Sequence, residues 1–197
     1  MGVILEKSKV AELLLISMSN LFSRYKSGLG ISILFVGTLL AASTGIVGAT
    51  VIAMGLISLP AMLARGYSEK VSTGLIAATG TLGQIIPPSI ALVILGDVLA
   101  TAYQQSQLKI GNYVAKSLSV GDLFMAAIVP GLILVFLYGL YFVFSLKKEV
   151  LTVDENQKHE NFFKLISTLI PPFFLIFAVL GSIITGIASP TEAAGIG

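Results

Sequence analysis

The chain divides into apolar stretches with little or no charge, separated by short polar segments. Crossing a bilayer core of about 30 Å takes roughly 20 helical residues. Residues 123–146 and 165–191 fit one crossing each, whereas 13–23 are too few. Residues 8–25 place Val10, Leu13, Leu14, Met18, Leu21 and Phe22 among Lys9, Glu12, Asn20 and Arg24. That mixture predicts an amphipathic helix on the membrane surface, with residues 1–26 as a surface arm; it is equally consistent with the stub of a longer helix. Residues 27–64 are too long for one crossing and marginal for two. Their middle, 41–50, is small, polar and glycine-bearing, between apolar arms. The pattern predicts a re-entrant hairpin over 27–64, two short helices meeting at a tip inside the membrane, although small residues also serve ordinary helix packing.

Residues 71–96 make a further apolar run, interrupted by Gly80-Thr81-Leu82-Gly83-Gln84-Ile85-Ile86-Pro87-Pro88-Ser89-Ile90. Gly83 weakens a helix by about 1 kcal/mol relative to Ala, and Pro87 and Pro88 each remove a backbone donor and clash with the preceding turn. The run is therefore predicted to be a broken transmembrane helix. Backbone groups left unpaired in lipid cost several kcal/mol each, so a break persists only where protein buries it or where it lines a wet cavity. On the motif alone, a proline kink and a binding site are equally good readings.

Hydrophobic residues make up 55% of the chain and charged residues 11%, against roughly 25% charged in soluble domains. The composition is that of an all-α, polytopic membrane protein. The net charge of +2 carries no suggestion of nucleic acid, and the placement of basic residues is the informative part. Arg24 and Lys26 precede the 27–64 run and Arg65 and Lys70 follow it, which puts both flanks on the cytoplasmic side if that run is a hairpin or two full spans. Residues 97–122 carry balanced charge and are expected to form an outer, periplasmic loop. Residues 147–164, with Lys147, Lys148, Lys158 and Lys164, are expected to form a cytoplasmic loop. A further helix is predicted to start at Pro190, behind a Ser189 cap. Apolar sequence running up to Gly197 suggests a chain incomplete at both ends.

Catalysis finds little support in these residues. There is no cysteine, His159 lies in a charged segment, and HExxH is absent. Ion coordination fits better, because hard cations take oxygen ligands, backbone carbonyls included, and secondary transporters build such sites from broken helices. Two interruptions supply oxygens: Ser43, Thr44 and Thr50 with Gly45 and Gly48 at the tip, and Thr79, Thr81 and Ser89 with Gly80, Gly83, Pro87 and Pro88 at the break. No acid, Lys, Arg or His lies within 27–64 or 71–96. Proton relays use intramembrane acids or histidines, so a metal cation such as sodium is the expected coupling ion, with no other cofactor.

Arg65-Gly66-Tyr67, the 80–90 segment, Ala127-Ile128-Val129-Pro130-Gly131 and Gly186-Ile187-Ala188-Ser189-Pro190-Thr191-Glu192-Ala193-Ala194 together resemble the large membrane subunit, the DctM type, of tripartite ATP-independent periplasmic (TRAP) transporters. The resemblance covers nearly the whole chain in the family's order. It implies a sodium-coupled elevator transporter, multi-pass in the bacterial inner membrane. Such a transporter imports an organic acid handed over by a periplasmic binding protein and works with a small membrane subunit of the DctQ type. It further implies inverted repeats, each a re-entrant hairpin followed by a broken helix, of which this chain holds the first: hairpin 27–64, broken helix 71–96, transmembrane helix 123–146, and in 165–197 a helix and the start of the second repeat. Ser43, Thr44, Gly45 and Thr81 are then the implied sodium ligands. Ile46 and Val47 depart from the family's serine-rich tip, which leaves ligation to neighbouring hydroxyls and carbonyls. Another inverted-repeat carrier and a membrane scaffold are the competing readings.

Overall fold

The computed structural model describes residues 10–22, 25, 27–111, 118–146 and 162–188. Among these, every regular element is helical. In chain order they are α1 (Val10–Leu21), α2 (Gly28–Thr44), α3 (Val47–Ala64), α4 (Glu69–Thr81), a 3₁₀ turn (Leu82–Gln84), α5 (Ile90–Lys109), α6 (Val120–Ser145) and α7 (Phe162–Ile184).

Apolar residues occupy every side of α2, and a helix of that kind belongs in an interior. It is the central element, packed by α1, α3, α4, α6 and α7. Ile33, Val36 and Ala41 are fully buried, joined by Leu14 of α1, Met54 and Met62 of α3, and Leu82 of the 3₁₀ turn. Glycines let the backbones close in on this helix. A methyl added at Gly30 would fall on the Phe142 ring of α6, and one at Gly37 on the Thr79 side chain of α4. Phe142 also stacks on Tyr67, with ring centroids 6.0 Å apart, so the α3–α4 turn is held against α6.

The hairpin α2–α3 turns at Gly45, whose φ of 62° lies in the left-handed region that glycine enters without steric cost. Its N–H donates to Ala41 O at 2.9 Å and ends α2, while the extended Ile46 starts α3. Helix α4 begins at Ser68, whose hydroxyl accepts from Val71 N. It tightens into the 3₁₀ turn and cannot continue, because Pro87 and Pro88 lack amide donors and proline disfavours helical geometry in the residue before it. Ser89 restarts the helix as N-cap of α5, accepting from Leu92 N at 3.3 Å. Since Gly37 lies on Thr79 and Gly83 lies on Ala41, α4 runs parallel to α2 in constant register. The hairpin tip and the helix break are therefore at the same end of the bundle.

Some expected boundaries move. The loop expected from residue 97 is helical as far as Lys109, in the second half of α5. Its Ala, Leu and Gln residues are good helix formers, and low hydropathy argued only against lipid, not against helix. At the loop's other end, α6 starts at Val120 behind a capping box: Ser119 Oγ accepts from Asp122 N at 3.1 Å, and Asp122 accepts from Ser119 N at 3.1 Å. The loop expected at 147–164 lies outside the described residues up to 161, and so does the helix start at Pro190.

Among the described residues, α3 and α6 are long and apolar enough to cross a membrane. Helix α6, with 26 residues, is about 39 Å long at 1.5 Å per residue, more than the roughly 30 Å of a bilayer core. Its Leu132, Ile133, Phe136 and Tyr141 are exposed, as are Ile94, Leu95 and Val98 on α5, which suits contact with lipid.

Two glycines test this packing in opposite directions. Gly30→Ala is expected to lower the melting temperature of the full-length protein in detergent, because the new methyl displaces α6 from α2. Gly74, in α4, has open space around its Cβ position, so Gly74→Ala should leave stability unchanged or raise it by up to about 1 kcal/mol. A Gly30→Ala protein as stable as Gly74→Ala contradicts the α2–α6 contact.

Candidate functional site at the hairpin tip and helix break

The two interruptions meet. Gln84 Nε2 donates to Gly45 O at 2.6 Å, joining positions 39 residues apart in the chain. A methyl at Gly83 would lie 2.6 Å from Ala41 O, and one at Gly80 would overlap the Val51 side chain. Both glycines are thus required where the broken helix crosses the hairpin. Beside them, Pro88 O lies 3.5 Å from the Cβ position of Gly45, and the side chain of Ile90, the first residue of α5, lies 3.6 Å from that same position.

Helix polarity makes this junction unusual. Helices α2 and α4 end here, each bringing the carbonyl end of its dipole, which favours cations. Helices α3 and α5 begin here, each bringing the amide end, which favours anions. The α5 amides are partly used by the Ser89 cap, whereas Ile46 offers α3 no side-chain cap.

The hydroxyls are arranged economically. Ser43 Oγ donates to Leu40 O at 2.8 Å, Thr79 Oγ1 to Leu75 O at 2.7 Å and Thr81 Oγ1 to Ala78 O at 2.7 Å. Each proton goes back to its own helix, and the oxygen lone pairs stay available. Thr44 Oγ1 and Thr50 Oγ1 are 2.7 Å apart across the tip, and they also reach Ala41 O at 3.3 Å and Ile46 O at 3.1 Å. Two hydroxyls have two protons for these three contacts, so at most two are hydrogen bonds at once; of the four oxygen lone pairs at most one accepts, and the rest stay available. Ser89 is occupied differently: it is buried, donates to Gln84 O at 2.7 Å and caps α5. Its hydroxyl stitches the two sides of the break together.

Of the residues singled out in the sequence, Thr44, Gly45 and Thr50 come together with Gly80, Gly83, Pro88 and Ser89. Pro87 is fully buried within the break. Thr81 is exposed and bonded within α4, while Gly48 is exposed with nothing near its Cβ position. Ser43 stands two residues before Gly45. Gln84, which makes the longest-range bond of the site, was not among the expected residues. It is the single carboxamide within 71–96, and a lone amide between Gly83 and Pro87 in an apolar run was the signal available.

This arrangement offers hydroxyl and carbonyl oxygens and no ionisable side chain, a donor set suited to a hard cation. The whole chain, residues 1–197, matches the family model of the tripartite ATP-independent periplasmic transporter, DctM component. The chain belongs to the DctM family. It is 32% identical over 192 residues to the ectoine TRAP transporter large permease protein TeaC of Halomonas elongata, covering 97% of this chain and 41% of that protein. It is also 32% identical over 195 residues to the C4-dicarboxylate TRAP transporter large permease protein DctM of Rhodobacter capsulatus, covering 99% of this chain and 44% of that one. The isethionate TRAP transporter permease protein DctMQ of Oleidesulfovibrio alaskensis is 32% identical over 170 residues, 85% of this chain and 24% of that protein. The chain spans about two-fifths of the length of the first two relatives. DctM proteins are membrane transport components and not enzymes, in keeping with the poor case for catalysis in the residues.

The Gln84 bond generates a direct test. Gln84→Met keeps the side-chain volume and removes the donor, at a cost of about 0.5–1.5 kcal/mol for a neutral hydrogen bond. Amide hydrogen exchange in residues 43–50 of the full-length protein should then accelerate by roughly 2- to 10-fold. Unchanged exchange there means that the bond does not hold the tip.

Proposed function

We propose that this DctM chain contributes one half of a sodium and substrate site in a TRAP transporter that imports an organic acid. The observation carrying the proposal is the junction of four helix ends around Gly45 and Gln84, where oxygen donors and two carbonyl ends sit beside two amide ends. Thr44, Gly45, Thr50 and the carbonyls around the break serve as cation ligands, with Ser43 and Thr81 at the margin. The uncapped start of α3 faces an acidic oxygen group of the substrate. Binding the two ligands side by side makes each stabilise the other, which is the physical basis of coupled transport.

In this reading α2–α3 is a re-entrant hairpin and α4–α5 a broken transmembrane helix, and they move together as half of an elevator's transport domain. The short α2, about 25 Å at 17 residues, suits a hairpin arm better than a full crossing. Residues 1–26 act as the surface arm, 97–122 face the periplasm and 147–164 the cytoplasm, within a bacterial inner membrane. The periplasmic binding protein delivers the substrate, and the small membrane subunit steadies the static part. The relatives named for C4-dicarboxylates, ectoine and isethionate support a small acid as substrate.

The test uses the full-length permease, reconstituted into liposomes with its small subunit and binding protein. Thr44→Ala should raise the sodium concentration for half-maximal uptake by about 5- to 30-fold, as expected for ~1–2 kcal/mol lost with one ligand oxygen. Replacing Pro87 and Pro88 together by Ala should heal the helix and abolish uptake while the protein still inserts. Uptake by the unaltered protein that ignores sodium refutes the coupling ion, and wild-type rates in the double proline variant refute the role of the break.

A further inference from the structure

Gln84 has more hydrogen-bonding capacity than the junction uses. A carboxamide carries two N–H donors and an oxygen with two lone pairs, yet among the described residues the side chain makes one bond, from Nε2 to Gly45 O at 2.6 Å. Oε1 has no partner there. Gln84 is half-buried, so its side chain reaches the junction without being sealed into it, whereas Gly45, whose carbonyl it meets, is buried. It is also the single carboxamide within 27–64 and 71–96, stretches that hold no acid, Lys, Arg or His. Against a carbonyl oxygen at this distance the amide has to present an N–H, because two oxygens so close repel each other. A partial positive charge thus rests on an oxygen that the sodium reading gives to a cation.

The terminal torsion of a glutamine is broad and roughly two-fold, so a half-turn about it exchanges nitrogen and oxygen with little change in shape. A cation on Gly45 O disfavours the N–H and favours the oxygen, since hard cations take amide oxygens as ligands. We propose that the Gln84 carboxamide serves both states of the site: its N–H stands in for the cation on Gly45 O when the site is empty, and after a half-turn its Oε1 joins the cation's ligands when the site is filled. The inference rests on the sodium reading above and adds to it one ligand and an empty state. Without the stand-in, a buried carbonyl would lose its partner each time the ion left, which is unfavourable in an apolar surrounding. With it, the hairpin tip stays bonded through the empty half of a transport cycle.

Two variants of the full-length permease in detergent test this, with choline replacing sodium at constant ionic strength. In Gln84→Met, which has neither the donor nor the oxygen, amide exchange in residues 43–50 without sodium should run roughly 2- to 10-fold faster than in the unaltered protein. At saturating sodium it should return to within about 2-fold of the unaltered rate. Equal acceleration with and without sodium shows that Gln84 holds the tip in both states and overturns the proposal, and so does no acceleration in either. Gln84→Glu reads the other position. At about pH 8 its carboxylate offers the cation a charged oxygen, and the sodium concentration giving half the rise in melting temperature should fall by about 10-fold or more. A damaged packing contact does not tighten an ion site. An unchanged or higher concentration shows that the side chain does not reach the ion and overturns the proposal. An unaltered permease whose melting temperature and tip exchange both ignore sodium refutes the sodium reading and this proposal with it. A sodium-responsive permease in which either variant fails its test refutes the role of Gln84 alone.

Discussion

A helix broken inside an apolar protein must find new partners for the backbone groups it releases, and this fold follows from how that requirement is met. Gln84 answers the Gly45 carbonyl at 2.6 Å, while Ser89 answers the Gln84 carbonyl at 2.7 Å and the Leu92 amide at 3.3 Å. The tip thus takes a partner from the break, whose own carbonyl and amide are met from within it. A buried group of this kind left unpaired costs several kcal/mol. The close approach that permits this depends on the missing side chains of Gly80 and Gly83, which would otherwise meet Val51 and the Ala41 carbonyl.

Local chemistry explains what was legible in the sequence. Gly45 ends α2 by its own backbone freedom, and Pro87 and Pro88 stop α4 by what they lack; both effects are decided within a few residues. The central place of α2 was implicit in a run without charge. The Ser119–Asp122 capping box is written in the chain, but hydropathy does not reveal it, because hydropathy marks where lipid begins and not where a helix begins. Residues 97–109 mislead for the same reason, being polar and yet helical. The role of Gln84 was not legible, as its partner is 39 residues away and the bond exists only once α4 lies parallel to α2.

The hydroxyls of α2 and α4 show how one residue type serves both stability and ligand chemistry. A threonine or serine that returns its proton to a carbonyl of its own helix satisfies its donor locally and needs no partner from a neighbouring helix. Its oxygen nevertheless keeps lone pairs directed away from the helix. Ser43, Thr79 and Thr81 all adopt this arrangement, so an uncharged stretch can be stable in lipid and rich in oxygen donors at once. A carboxylate in the same place would bind a cation more strongly, but burying its charge would cost far more whenever no cation was bound.

The direction of the four helices sharpens this argument. The carbonyl ends of the parallel helices α2 and α4 lie side by side and repel each other, and the amide ends of α3 and α5 beside them offset that repulsion when no ligand is present. On the sodium-coupled reading, a cation alone gains from α2 and α4 but faces the amide ends of α3 and α5, and an anion alone meets the reverse difficulty. A cation and an anion bound together let every helix end face a charge of the favourable sign. The preference for both ligands or neither would then arise from backbone dipoles fixed by the fold, without any charged side chain, which accounts for a transport site that can sit within apolar sequence.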